Sequence, residues 1–200
     1  MNHLFRAALA VGLLGTGTAF AADHNEATGT KADHIADIDD VYTWHKNDGK
    51  VVVIVTFGGP GADPVGTLGA LDADVIYGVH IDTNADSVAD KDVWVRFGED
   101  TMGAWGVQFT GIPGGDAVTE GAVQTTLDAG AGLSAAAGVY DDPFFFDFQG
   151  LGDTLTTAAL SFDSSRDSFA GKNVNAFVFE MDATAVGATS FKLWATSGRK

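Results

Sequence analysis

Apolar and polar positions alternate along most of the chain with the period of two that is typical of half-buried β-strands. The alternation is clearest over 92–97 and 105–109, where the residues of one parity are all apolar. Turns rich in glycine, proline, asparagine and aspartate lie between such runs and end the strands. The predicted strands are 41–45, 51–57, 74–82, 92–97, 105–109, 117–126, 174–181 and 190–196, with 142–148 as an aromatic ninth.

This pattern predicts one mainly β domain, an antiparallel β-sandwich of jelly-roll or immunoglobulin-like type with one or two short helices. Asn47-Asp48-Gly49, between the first two runs, predicts a tight hairpin. The unbroken apolar run at 51–55 predicts a central strand that is apolar on both faces, and 151–161 predicts a short helix. The alternation is lost over 128–138, which predicts a loop or one helical turn.

Residues 1–21 have the three parts of a secretory signal peptide. A short basic start is followed by an apolar stretch at 7–14 and by the small-x-small pattern that signal peptidase cuts. The apolar stretch is far shorter than the roughly 20 residues that span a bilayer. Cleavage near Ala21/Ala22 predicts a secreted or periplasmic domain covering 22–200, with no membrane insertion after cleavage.

The composition narrows the possible partners and chemistries. The formal net charge is −16, and such a surface repels nucleic acid and anionic lipid, so neither is expected as a partner. The sequence has no cysteine, which excludes thiol catalysis, cysteine-based zinc sites and iron–sulfur clusters. An exported domain without disulfides depends for its stability on its apolar core and on any metal that it binds.

The segment between the third and fourth predicted strands has the spacing of a calcium loop. Oxygen-bearing side chains stand at every second position and a further carboxylate follows four residues later. Calcium takes six to eight oxygen ligands, which this spacing can wrap around one ion. The predicted ligands are the side chains of Asp82, Asn84, Asp86 and Asp90, together with the carbonyl oxygen of Val88.

This loop differs from an EF-hand, because Ser87 stands at the sixth position in place of glycine and Val93 at the twelfth in place of glutamate. Aspartate and asparagine also favour turns without metal, so a polar hairpin turn is the alternative. His80, two residues before Asp82, either contacts a ligand of the ion without binding the ion itself or is an ordinary surface histidine. No obvious nucleophile lies nearby in the sequence, so a structural calcium ion is expected rather than a catalytic one.

Several short stretches are similar, in the same order, to the bacterial exported domain-of-unknown-function (DUF) family 4331. They are 23–24, 36–42, 82–90, 141–145, 166–176 and 193–199. The chain resembles a small member with a compressed middle and an early stop, and Ser87 replaces a glycine that is usual in the family. The resemblance implies an exported bacterial protein and no particular activity. A weaker similarity of pattern, an Asp-Val-Tyr strand and a later Ile-Asp-Thr-Asn loop, links the chain to family-nine carbohydrate-binding modules and DOMON domains, which are β-sandwiches.

Two of the four tryptophans are candidates for ligand binding. Trp94 alternates away from its apolar neighbours in the fourth predicted strand, and Trp194 does so in the last. Both are therefore expected on the outward faces of their sheets, where a tryptophan ring can stack on a sugar. The alternative is ordinary packing at the rim of the core.

Three carboxylates around an aromatic run, Asp141, Asp142 and Asp147, are the candidates for an enzyme. Paired carboxylates perform the acid–base chemistry of glycoside hydrolases. The proline after Asp142 instead favours a strand-entry turn, with Asp142 paired to a cation such as Arg166. No catalytic motif is recognisable, and no catalytic residue is assigned.

Cleavage between Ala21 and Ala22 would also create a second metal site. The mature chain would begin Ala22-Asp23-His24, in which the amine, two backbone nitrogens and the imidazole can hold copper(II) or nickel(II) in a square plane. Histidine at the third position can also arise by chance.

Together these features predict an exported, calcium-stabilised β-sandwich that binds a ligand or a surface, such as a glycan or a cell-surface component. One alternative is a carbohydrate-binding module that uses an outward tryptophan. The other is a glycoside hydrolase-like enzyme that uses the three aspartates.

Overall fold

Residues 33–61 and 71–200 are described by the computed structural model, and within these ranges ten strands form two antiparallel sheets. The strands are β1 (Ile38–His45), β2 (Lys50–Gly61), β3 (Val75–Asp82), β4 (Lys91–Glu99), β5 (Trp105–Thr110), β6 (Val118–Ala122), β7 (Leu127–Asp128), β8 (Ser134–Asp141), β9 (Asn173–Asp182) and β10 (Lys192–Arg199). The helices are a 3-10 helix (His34–Ala36), α1 (Phe148–Thr157) and α2 (Ala183–Val186). The strand order is β1-β2-β9-β8-β7 in the first sheet and β10-β3-β4-β5-β6 in the second.

The two sheets pack face to face through large side chains, which confirms the predicted β-sandwich. In β4 the buried and exposed residues alternate, so that Val93, Val95 and Phe97 point inward. Rings from opposite sheets meet in the centre, with 4.6 Å between the ring centroids of Phe57 and Tyr77. The hydroxyl group of Tyr77 donates a hydrogen bond to a backbone carbonyl, so this buried polar group is satisfied.

The hairpin and the interior strand of the first sheet form as predicted. Lys46 N donates to Lys50 O at 2.7 Å, and Gly49 adopts a φ of 82°, which glycine accommodates without steric cost. The strand that follows, β2, is paired on one side with β1 and on the other with β9. Val51, Val53 and Val55 of its apolar run face the core, whereas Val52 and Ile54 lie on the other face, where Val52 is buried and Ile54 is partly exposed.

The prediction of a loop over 128–138 holds for 129–133 but is wrong for the second half of the segment, 134–138, which forms the start of β8. Its side chains are small because they lie opposite large ones: Ala137 is paired with Phe177 in β9, and Ala135 with Phe179. Alanine carries little of the apolar contrast on which a period-two pattern depends, so the sequence hides this strand.

The aromatic segment 142–148 was predicted to be a strand and is instead irregular as far as the start of α1. Its phenylalanines pack on one another and on Phe169, whose ring centroid lies 5.0 Å from that of Phe144. Asp147 then caps α1 by accepting a hydrogen bond from Gly150 N at 2.8 Å, which explains why the helix begins at this point. The predicted helix over 151–161 is confirmed with an earlier start and end.

The close fit between β8 and β9 gives a stability prediction. Ala137 is 0 % exposed, so Ala137→Leu should overpack the core and lower the free energy of unfolding by about 1–3 kcal/mol. Ala136→Leu, on the partly exposed outer face of the same strand, is the control and should cost less. Urea denaturation measures both, and equal effects of the two variants would contradict the proposed packing.

Candidate ligand-binding face

The two tryptophans singled out by the sequence lie on the outer face of the second sheet. Trp94 is in β4 and Trp194 is in β10, and β3 runs between these strands. Trp94 is 37 % exposed although it stands in the middle of a strand, because its neighbours Val93 and Val95 take the inward positions. The sheet therefore presents one large aromatic side chain to solvent on a rigid backbone.

His80 lies between the two tryptophans and completes an aromatic row, the name used below for Trp194, His80 and Trp94. Its ring stacks on Trp194 with 5.5 Å between centroids and an interplanar angle of 30°. The edge-to-face contact with Trp94 has the same centroid separation and an angle of 84°. Both geometries are favourable for aromatic pairs, so the three rings support one another.

Two hydrogen bonds fix the imidazole of His80 in this row. Its Nδ1 lies 2.6 Å from a carboxylate oxygen of Asp92, and its Nε2 lies 2.8 Å from the hydroxyl oxygen of Thr196. An ionised carboxylate can only accept, so Nδ1 carries the proton and, in the neutral ring, Nε2 accepts from Thr196. The sequence did not reveal this role, because the two partners are separated from His80 by 12 and 116 residues.

Gly78 provides the space into which the indole of Trp94 leans. A Cβ atom at this position would lie 2.7 Å from Cζ3 of Trp94 and 3.0 Å from Nε2 of His80. Any larger residue at position 78 would therefore push the aromatic row away from the sheet. The glycine is required by close approach of side chains, which is one of the recognised reasons for glycine inside a strand.

A polar row crosses three neighbouring strands beside the aromatic row, and it consists of Arg96, Gln108 and Glu120. The three residues are in register, with Arg96 opposite Gln108 and Gln108 opposite Glu120. The amide of Gln108 donates to a carboxylate oxygen of Glu120 at 2.7 Å. The row presents both hydrogen-bond donors and acceptors at the surface.

Next to the polar row the sheet has a shallow trough of about 570 Å³. Its floor is formed by residues with minimal side chains, Gly98, Gly106 and Ala122, which stand at matched positions of β4, β5 and β6. The turn at 99–104 closes one side. The outer face of the second sheet thus carries an aromatic row, a polar row and a trough in sequence along β4.

The predicted calcium loop connects β3 to β4 at the other end of this face. Asp82 is 0 % exposed and its carboxylate accepts from the backbone N–H groups of Ala85 at 2.6 Å and Ser87 at 2.7 Å. Burial raises the pKa of Asp82, but these backbone hydrogen bonds and nearby Lys192 bring it below the usual value. Ser87 adopts a φ of 66°, the left-handed turn that glycine makes at the sixth position of an EF-hand loop.

The other predicted calcium ligands make contacts within the loop. Asn84 Oδ1 accepts from Asp86 N at 2.9 Å, and Asp86 Oδ1 accepts from Val88 N at 2.8 Å. Asp90 Oδ2 accepts from the backbone N–H of Thr83 at 2.7 Å.

A lysine from β10 also reaches into the calcium loop. Lys192 Nζ lies 3.6 Å from Asp82 Oδ2 and donates to the carbonyl of Ala85 at 3.2 Å. Across the described ranges, no three or more histidine, cysteine or acidic side chains converge in a way that could hold a metal. Calcium binding therefore stays a prediction, and an ion would share Asp82 with the ammonium group of Lys192.

Two of the three aspartates considered for glycoside hydrolysis, Asp142 and Asp147, have separate structural roles, while Asp141 is exposed at the end of β8. Asp147 is buried, and its carboxylate is occupied by Gly150 N, Asp163 N and Arg166 Nη2, the last at 2.8 Å. The expected pairing of Arg166 with Asp142 is therefore wrong, because Arg166 pairs with Asp147. Asp142 accepts from the backbone N–H of Phe144 at 2.9 Å and begins the irregular segment after β8.

The N-terminal predictions lie outside the described residues: the signal peptide at 1–21 and the copper or nickel site at Ala22, Asp23 and His24. Within the ranges that are described, none of the helices has the length and apolar character needed to cross a bilayer.

Comparison of the chain with protein-family models, curated proteins and solved structures returns no match. The resemblance to family 4331 therefore stays a prediction.

The calcium loop gives a prediction on thermal stability. Calcium at about one hundred times its Kd should raise the Tm of chelator-stripped protein by about 5–10 °C, because an ion that binds only the folded state stabilises it. Asp86→Ala should remove most of this increment, whereas Asp153→Ala, at an exposed position in α1, should retain it. Differential scanning calorimetry measures the shift, and identical melting with and without calcium would show that the loop is a metal-free turn.

Asp142 gives a prediction on pH dependence. Burial raises its pKa against the hydrogen bond from Phe144 N–H, and nearby carboxylates raise it further: Asp40, Asp141 and Asp167. A carboxyl group with a raised folded-state pKa lowers stability as pH rises through that pKa. Asp142→Asn should therefore raise the Tm at neutral pH, and the gain should vanish at about pH 3, where the carboxyl group is protonated in both states.

The control for this pH dependence is Asp141→Asn at the exposed neighbouring position. It should change the Tm less at neutral pH. A gain for Asp142→Asn that persists unchanged in acid would contradict the assigned cause.

Proposed function

We propose that this chain is an exported, calcium-stabilised β-sandwich that binds glycans through the outer face of its second sheet. The observation that carries the proposal is the aromatic row. In it an exposed tryptophan is held in place by His80, which is itself held by Asp92 and Thr196.

The chemistry of the face suits a sugar. One face of a pyranose ring presents C–H groups that pack on an indole, while its hydroxyl groups need donors and acceptors at the edge. Trp94 supplies the aromatic surface, and Arg96 and Gln108 stand next to it on β4 and β5. Because all these groups are mounted on paired strands, the backbone that carries them is already ordered and loses little conformational entropy when a ligand binds.

The other predicted classes are less well supported by the same observations. The strongly negative net charge disfavours nucleic acid and anionic lipid. The hydrolase hypothesis needs two carboxylates that can act on a substrate. Asp147 is engaged as a helix cap and ion-pair partner, and Asp142 accepts from Phe144 N, so two of the three candidates already have structural roles. A binding protein does not need catalytic carboxylates.

The calcium loop has a supporting role in this proposal. It joins β3, which carries His80, to β4, which carries Asp92 and Trp94. An ion at Asp82–Asp90 would hold the ends of these two strands together and so preserve the register on which the aromatic row depends. Export is supported by the signal-peptide pattern at 1–21.

The test is a titration with soluble gluco-, xylo-, manno- and N-acetylchito-oligosaccharides, followed by tryptophan fluorescence and calorimetry. At least one series should shift the emission, and Trp94→Ala should weaken its binding by about tenfold or more, the loss expected for a stacked aromatic anchor. Gly78→Ala should also weaken binding, because it displaces the Trp94 ring without removing it.

The matched control is Trp44→Ala, which removes an exposed tryptophan of the first sheet. This variant should bind as the wild type does. A flat response to every series, or an equal loss for Trp44→Ala and Trp94→Ala, would contradict the proposal.

A further inference from the structure

The floor of the trough contains a strand glycine that the protein itself does not require. Gly98 lies within β4, its φ is outside the left-handed region, and a Cβ atom placed on it would have no neighbour within 4 Å. Glycine inside a strand lowers stability, and one remaining reason to have it there is the close approach of a ligand. By contrast, Gly121 is explained by the chain, because a Cβ there would lie 2.6 Å from Leu127.

The trough is continuous with the aromatic row. Trp94, Arg96 and Gly98 are successive outward residues of one strand, so about 13 Å separates the first position from the last at the rise of a β-strand. This distance is more than twice the width of one sugar ring. A single sugar on Trp94 therefore cannot fill the trough, whereas a chain of three or more sugars can reach it.

The polar row, which lies between Trp94 and Gly98 along the face, suits the hydroxyl groups of a sugar. The guanidinium of Arg96 offers only donors, the amide of Gln108 offers both kinds of group, and the carboxylate of Glu120 only accepts. Sugar hydroxyls donate and accept, so they can match this mixed set. No carboxylate lies within ion-pair distance of Arg96 in the described part of the chain, which leaves its donors available.

The charge around the trough argues for an uncharged ligand. Arg96 is its one cation among the lining residues, which also include Glu99, Asp100 and Glu120, and Asp92 stands farther along the same strand. This local excess of carboxylates adds to the overall charge of −16. A uronate or sulfated polymer would be repelled from this face.

We infer that the polar row and the trough form an extended subsite, so that the ligand is an uncharged oligosaccharide chain that covers both Trp94 and Gly98. This inference rests on the proposed function, because the aromatic row provides the first subsite. It adds a length requirement and a charge requirement, both of which can be measured separately from binding itself.

The experiment compares the affinities of oligosaccharides with two and six sugars in each neutral series, measured by calorimetry on the wild type. The longer chain should bind at least tenfold more tightly. Gly98→Leu places a side chain in the trough, at a position with room for its Cβ, and should bring the ratio of the two affinities close to one. Gly152→Leu is the matched control, since this helix glycine also has no neighbour around its Cβ, and it should keep the wild-type ratio.

The outcomes separate the inference from the proposed function. No binding of any series by the wild type overturns both. Equal binding of short and long oligosaccharides, or a preference for long ones that Gly98→Leu leaves intact, overturns the extended subsite. Glycan binding at Trp94, the proposed function, would then still hold. Tight binding of polygalacturonate, or binding of chitosan alone that is lost in high salt, overturns the uncharged ligand.

Discussion

The packing of Phe57, Tyr77 and Phe177 between the two sheets is the interaction on which the rest of the structure depends. The ring of Tyr77 lies 4.6 Å from that of Phe57 and 5.6 Å from that of Phe177. Without cysteine, no disulfide can tie the sheets together, so burial of these rings must do so. Because successive strand residues face opposite sides, each residue locked inward also fixes the direction of its neighbours on the outer face.

Charge is the second constraint, since carboxylates far outnumber cations in this chain. Several of the cations are used to neutralise carboxylates that are wholly or partly buried. Arg166 lies beside Asp147, and Lys46 and Lys50 both reach Glu180. Burial raises the pKa of Glu180, but the two lysines together bring it below its usual value. Arg96, on the outer face, differs from these cations because no carboxylate of the described residues lies within ion-pair distance of it.

Most of the fold could be predicted from the period-two pattern, because this pattern shows which face of each strand packs against the core. It predicted the outward positions of Trp94 and Trp194, while the turn residues Asn47-Asp48-Gly49 predicted the hairpin. The pattern failed at 134–138, where alanines fill the space opposite large phenylalanines. It also failed at 142–148, where the aromatic rings pack on one another and the segment forms no strand.

The candidate site was less accessible to sequence reasoning than the fold. Both tryptophans were found from alternation alone, but the role of His80 was not, since its partners Asp92 and Thr196 lie on two other strands, β4 and β10. Their approach is decided by the pairing of β3 with β4 and β10, in which His80 stands opposite Asp92 on one side and Trp194 on the other. A single sequence contains no record of that register. The trough could not be predicted from the sequence for a related reason. Gly98 and Gly106 lie side by side in its floor only because β4 and β5 are paired.

The strand that carries most of the proposed ligand face, β4, is held at both ends by aspartate carboxylates that accept backbone N–H groups. At its start, the loop between β3 and β4 folds around Asp82. At its end, Asp100 accepts from Met102 N at 2.8 Å and from Ala104 N at 2.9 Å. Such side-chain-to-backbone bonds fix a turn locally, without a partner from elsewhere in the chain. With both turns fixed and the core side locked, β4 presents Trp94, Arg96 and Gly98 in one arrangement before any ligand arrives, which is the condition under which a shallow open face can bind a chain of sugars.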